Sequence, residues 1–271
     1  MLIKEGQDKY FDVNRKLWDA KTLIHLKSSF YNLEEFYKTR NSLNKIELDL
    51  LPDIKGKTIL HSQCHFGQDT ISLQNMGAQC LGFDLSPVAI EQAKSLNQKM
   101  NLGAKFLESN IYELDQKVNT LFDLVFTSYG VIAWLPDLGN WAKQLMARLK
   151  PGGQFIIVEF HPIMYLFDWD SKKVAYRYFN NGEPYMEQME GTYADRTADI
   201  KLKEYFWQHS MDEIMSSLIE EGLIINKFKE YDYSPYSLFE PVETQAEKQY
   251  IFKVNDIQIP LVFALVGTKI S

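Results

Sequence analysis

Between residues 57 and 160 this chain alternates short apolar runs with amphipathic stretches, and that alternation limits its fold more than any other feature. Residues 58–62, 79–83, 104–107, 122–127 and 154–160 read as strands. Helical patterns fill the gaps. One spans 68–76 and stops at Gly77. A second opens at Ser86-Pro87, a good N-cap followed by a residue suited to the first helical position. It carries Ala89, Ala93, Leu96 and Met100 on one face and ends by Gly103. A third sets Leu138, Trp141, Leu145 and Leu149 in register before Lys150-Pro151-Gly152-Gly153 closes it. Such alternation requires right-handed crossovers and a mainly parallel, doubly wound α/β sheet. Leu223 to Lys229 and Ile259 to Thr268 read as two closing strands, with a capped helix from Ser210 to about Glu221 before them.

The flanks differ. Residues 1–54 read as short helices, ended by Pro52. Residues 163–207 are dense in Tyr, Phe and Trp and suggest an inserted β-rich cap, with Asn180-Asn181-Gly182 as its hairpin turn. The expected organisation is an N-terminal helical segment (1–54), an α/β core (55–162 with 208–271) and the cap (163–207). The 271 residues suit one large domain with insertions.

Composition narrows the function classes. The chain has 29 basic and 36 acidic residues, a net charge of −7, and no dense basic run, which argues against a nucleic-acid partner. No tract approaches the ~20 apolar residues of a membrane span, and the polar start lacks a secretory pattern, so the expectation is a cytoplasmic protein. Cys64 and Cys80 form neither a disulfide framework nor a metal motif, and no metal is expected.

In open doubly wound sheets, ligands bind outside the carboxyl ends of the strands. Asp84 ends the second strand 17 positions after Gly67, placed to accept the ribose hydroxyls of an adenosine. The first loop, Gln63-Cys64-His65-Phe66-Gly67, has one glycine, and side chains at Gln63 and His65 would crowd a pyrophosphate. S-adenosylmethionine, which has no phosphates, makes the weaker demand.

Ile59-Leu60-His61-Ser62-Gln63-Cys64-His65-Phe66-Gly67, Gly82-Phe83-Asp84-Leu85-Ser86, Phe122-Asp123-Leu124-Val125 and Leu149-Lys150-Pro151-Gly152-Gly153 together resemble the class I S-adenosylmethionine-dependent methyltransferases. The resemblance implies a seven-stranded sheet whose last strand, at about 259–268, runs antiparallel between its neighbours. It implies cofactor contacts from the loop residues Gln63, Cys64, His65 and Gly67, and from Asp84 at the ribose. Leu85, Asn110 and Ile111 would lie at the adenine, and Ser128 near the methionine end. Gln63 and His65 replace two of the family's glycines, and His61 stands where its first strand usually carries an acid.

Methyl transfer needs mainly a held nucleophile in line with an activated methyl. The expected activity is therefore transfer to a small-molecule acceptor, with a cofactor-binding protein lacking turnover and an NAD(P)-dependent oxidoreductase as alternatives. His161 and His209 are the candidates for a base, each equally readable as a hydrogen-bonded structural histidine. Trp134, Tyr165 and Trp169 are the cap-side residues expected to reach the acceptor. The remaining cap aromatics suit core packing or a homodimer contact.

Overall fold

The computed structural model describes residues 8–168, 172–238 and 243–270. The chain opens with helices α1 (Asp8–His25), α2 (Leu33–Thr39) and α3 (Lys45–Leu48). The alternating region follows as β1 (Thr58–Ser62), α4 (Gln68–Asn75), β2 (Gln79–Asp84), α5 (Pro87–Lys99), β3 (Lys105–Glu108), α6 (Leu114–Lys117), β4 (Phe122–Ser128), α7 (Leu138–Met146) and β5 (Leu149–Phe160). Then come β6 (Tyr185–Glu190), β7 (Lys201–Phe206), α8 (Met211–Glu220) and β8 (Leu223–Tyr231). The short strands β9 (Glu243–Ala246), β10 (Gln249–Ile251), β11 (Lys253–Val254) and β12 (Ile257–Gln258) precede β13 (Val262–Lys269).

Seven strands form one sheet in the order β3-β2-β1-β4-β5-β13-β8. β13 runs antiparallel to both neighbours, and every other pair among β1–β5 is parallel. The strand order reverses between β1 and β4, which sets the ligand-binding crevice at their carboxyl ends. Both faces of the sheet are covered, so its central strands are apolar on both sides. In β5, Phe155 and Ile157 join one core with Trp141 and Leu145 of α7 and Leu218 of α8. Ile156 and Val158 face the other core, with Ile71 of α4 and Ala93 and Leu96 of α5.

Local signals behaved as their chemistry dictates. The Ser86 hydroxyl accepts from Ala89 N at 3.0 Å and Ser210 from Glu213 N at 3.1 Å. Pro151-Gly152-Gly153 does not stop before the fifth strand but lies within β5 as an irregularity in its pairing with β4, with Gly152 at φ +74°. The closing strand starts at Val262, just after Pro260, which lacks an amide for the ladder. Asn180-Asn181-Gly182 is not the hairpin turn. Asn180 and Asn181 accept from Gly182 N and Glu183 N through their own side chains and bend the chain ahead of β6. The antiparallel β6–β7 ribbon instead turns through 191–200, entered at Gly191 with φ +70°.

Candidate functional site

The loop after β1 turns on three left-handed residues: Gln63 at φ +54°, His65 at +51° and Gly67 at +80°. Only the last is glycine, and there a Cβ would come within 2.6 Å of the Phe106 ring. The loop is pinned to β2 where Cys64 N donates to Phe83 O at 2.9 Å, and Cys64 is buried. The Gln63 amide reaches across the crevice to Val131 O at 3.1 Å, beyond β4. His65 Nε2 lies 3.0 Å from His25 Nδ1. Burial pushes these imidazoles down, to about 3 for His65 and about 2 for His25, so both are neutral and one donates to the other.

Asp84 faces this loop. Its Oδ2 accepts from His65 N at 2.8 Å and its Oδ1 from Ser86 N at 2.9 Å, so each oxygen retains accepting capacity for a further donor. Burial pushes its pKa up to about 6 against the pull of the Ser86, His65 and Leu85 amides. Ser109 N donates to Asp84 O at 2.9 Å, which brings the β3 loop alongside. There Asn110 Oδ1 accepts from Tyr112 N at 3.1 Å, and Ile111 is buried. Leu85 is half-buried next to Asp84. On the β4 side, Ser128 Oγ donates to Asp69 Oδ2 at 3.1 Å, and Asp69 Oδ1 accepts from Ser42 at 2.5 Å. Residues 63–67, Leu85, Asn110 and Ile111, with Asp84 and Ser128 as the last residues of β2 and β4, therefore all lie at one edge of the sheet.

A small, partly open cleft lies beyond the β4 and β5 ends, with Ile132, Phe160, Tyr165, Trp207, His209 and Ile214 among its walls. Tyr165 is among these walls. Trp134 packs on Trp18, with ring centroids 5.2 Å apart. Trp169 lies outside the described residues. His209 places Nε2 2.8 Å from Leu135 O and Nδ1 3.0 Å from Glu213 and 3.5 Å from the Asn180 amide, so both ring nitrogens are engaged within the protein. His161 Nδ1 accepts from Ile163 N at 3.1 Å, and its Nε2 sits 2.8 Å from Glu230. Its accepting nitrogen is therefore spent on backbone.

Sequence reasoning missed two contributors. Glu159, fully buried, takes amides from Val131 at 2.8 Å and Ile132 at 3.2 Å, and also those of Gly130 and Phe160. A lone acid in the apolar run 154–160 was its signal. The other is α1, which packs on the loops after β1, β2 and β4. Trp18 packs on His65, with centroids 5.2 Å apart, and Asp19 Oδ1 accepts from Ser86 Oγ at 2.6 Å. Lys21, 1% exposed, pairs with Glu204 of β7 at 3.2 Å. Burial lowers the Lys21 pKa against the opposing effect of Glu204.

The sheet order, with β13 antiparallel between β5 and β8, is that of class I methyltransferases. Two solved structures share the fold: S-adenosylmethionine-dependent methyltransferases from Clostridium acetobutylicum (16% identical, 95% of this chain and 99% of that one, TM-score 0.56) and from Mesorhizobium loti (16% identical, 82% and 95%, TM-score 0.52). Residues 59–153 match the family model of a methyltransferase domain. Among curated relatives, the chloroplastic tocopherol O-methyltransferase of Arabidopsis thaliana is 26% identical over 172 residues, 58% of this chain and 49% of that protein. The chain spans about half the length of the curated relatives it first matches. No described helix is long and apolar enough to cross a membrane.

Proposed function

We propose that this protein is an S-adenosylmethionine-dependent methyltransferase acting on a small-molecule acceptor. The observation that carries the reading is Asp84: a partly buried carboxylate at the β2 end, held by one amide on each oxygen and still able to accept ribose hydroxyls. The left-handed turns at Gln63, His65 and Gly67 bend the loop tightly beside Asp84, which suits a ligand with a short polar tail and no phosphates. Leu85 and Ile111 would flank the adenine and Asn110 would meet its edge, while Cys64, His65 and Gly67 lie under the ribose and tail. Ser128, oriented by Asp69, stands at the methionine end.

The cofactor supplies an already activated methyl on a sulfonium. What remains for the chain is to hold the acceptor in line and keep water away. The small cleft beyond the β4 and β5 ends mixes the apolar Ile132, Phe160, Trp207 and Ile214 with the polar Glu159, Tyr165, Gln208 and His209. Glu159 fixes the loop that forms one side of it. The tocopherol enzyme among the relatives, by its name an O-methyltransferase, favours oxygen as the methylated atom.

Titration calorimetry with S-adenosylhomocysteine tests the reading. The chain should bind it, and Asp84→Ala should weaken binding by about 30–150-fold, the ~2–3 kcal/mol of charged hydrogen bonds to the ribose. Equal affinity of the two proteins would remove the main support. Binding without methylation of any acceptor in a broad phenol and amine panel would mark a cofactor-binding protein without turnover, and stabilisation by NADH alone would mark an oxidoreductase.

A further inference from the structure

We propose that the methyl acceptor carries an ammonium group, and that a recess of aromatic rings backed by Asp69 and Glu47, beside the loops after β1 and β4, receives it. The inference rests on the cofactor reading above and names the chemistry of the acceptor.

The first argument is the wall of rings. Centroid to centroid, Phe30 lies 5.1 Å from Tyr31, 5.4 Å from Tyr193 and 5.3 Å from Tyr236, and Tyr236 lies 5.0 Å from Tyr129. Five rings from four separate stretches of chain thus make one continuous wall. All five, and Asp69 with them, keep part of their surface open to solvent, unlike the sealed residues of the two cores. The wall adjoins the loops that suit the cofactor. Tyr31 packs on Phe66 at 4.8 Å and its carbonyl accepts the Gln68 amide at 2.9 Å, while Tyr129 directly follows Ser128 at the end of β4. Ring faces carry the negative end of the aromatic quadrupole, which attracts an ammonium.

The second argument is charge. Asp69 takes the hydroxyls of Ser42 and Ser128, and Glu47 takes that of Tyr129 at 3.2 Å. The Asn44 amide joins Glu47, at 3.3 Å, to the Tyr236 hydroxyl, at 3.0 Å. Among the described residues no lysine or arginine pairs with either carboxyl. His61, which feels the charge of Asp69, is held neutral by burial, its pKa lowered to about 4. Burial first, and negative neighbours including Asp69 after it, push the hydroxyls of Tyr31, Tyr129 and Tyr236 well above the usual range. Two acids enclosed by phenols without a counter-ion are costly to keep ionised. A cation set between rings and carboxyls removes that cost, whereas an uncharged acceptor leaves it standing. His25 adds a third sign. Its ring lies 5.1 Å from Tyr31 and 4.7 Å from Tyr193, and its buried Nε2 has no hydrogen-bond partner. When Nδ1 is the donor to His65, Nε2 presents a lone pair that an ammonium N–H can meet.

Calorimetric titration of the full chain saturated with S-adenosylhomocysteine tests this, with choline as the cationic probe and 3,3-dimethylbutan-1-ol as its uncharged isostere. Choline should bind at least tenfold more tightly than the alcohol. Glu47→Gln at pH 8 and Tyr193→Leu should each weaken choline at least fivefold and leave the alcohol unchanged, and Tyr193→Phe should retain choline. Binding of S-adenosylhomocysteine by each variant shows that it is folded. Equal affinities of the unaltered chain for the two probes, including no binding of either, would overturn the proposal whatever the variants do. Unchanged choline affinity in both Glu47→Gln and Tyr193→Leu would place the cation elsewhere and overturn it too. So would competition between choline and S-adenosylhomocysteine, which would put the cofactor's own ammonium tail in the recess. If the unaltered chain does not bind S-adenosylhomocysteine, the cofactor reading fails and the acceptor assignment goes with it, a result distinct from a loaded chain that treats the two probes alike.

Discussion

At the scale of single residues, the chain buries acids where their charge is unwelcome. Glu47 has no exposure and accepts from the Asn44 side chain at 3.3 Å, the Tyr129 hydroxyl at 3.2 Å and nearby backbone amides of Asn44 and Glu47. Burial first, and the nearby Asp69 second, push its pKa up to about 7. A carboxyl raised in the folded state adds stability only while protonated in both states, so this contribution is complete below about pH 4 and is lost as pH rises through 7. Asp84 behaves alike through about 6. Glu47→Gln should therefore gain on the parent protein by about 2–3 kcal/mol between pH 5 and pH 8, read from urea unfolding at both. An unchanged difference would mean that Glu47 is ionised and solvated at neutrality. The positions of Asp84 at a strand end and Gly67 just before a helix were legible in the sequence because the alternating pattern fixes both elements. Glu47 was not, because nothing in a four-residue helix announces which side faces inward.

At the scale of elements, one side chain organises the stretch between β4 and α7. Glu159 takes four backbone amides that no strand or helix would otherwise satisfy, from residues 130–132 and 160. Glu159→Ala leaves those donors buried and unpaired and should cost about 3–5 kcal/mol of stability. Glu159→Gln, keeping one acceptor oxygen, should cost less. Thermal unfolding of both variants checks the order, and equal losses would show that packing rather than amide capture sets the effect. The alternating core could be read directly because each strand is apolar on both faces and each helix on one. The cap could not. The Asx bends at Asn180 and Asn181 imitate a hairpin signal, and the true turn at 191–200 is longer than the short loops that carry such signatures.

At the scale of the whole molecule, α1 is the joint. It contacts the loops after β1, β2 and β4 and also β7, so cap and sheet share one set of side chains. Unfolding should accordingly show a single transition. S-adenosylhomocysteine at 100 times its Kd should add about 2.7 kcal/mol and raise the midpoint by roughly 5–10 °C for a chain of this size. Two transitions, with only one responding to ligand, would separate cap from core. None of this bridging could be read from spacing, since Trp18, Lys21 and His25 meet partners 40 to 183 positions away. The sheet order has a consequence for synthesis. Because β13 lies between β5 and β8, residues 223–231 have no place to pair until residues 262–269 have left the ribosome. Until then the twelve-residue β5 presents an unprotected flank of apolar backbone to the surroundings. A nascent chain stalled before residue 262 is the form of this protein most in need of a chaperone.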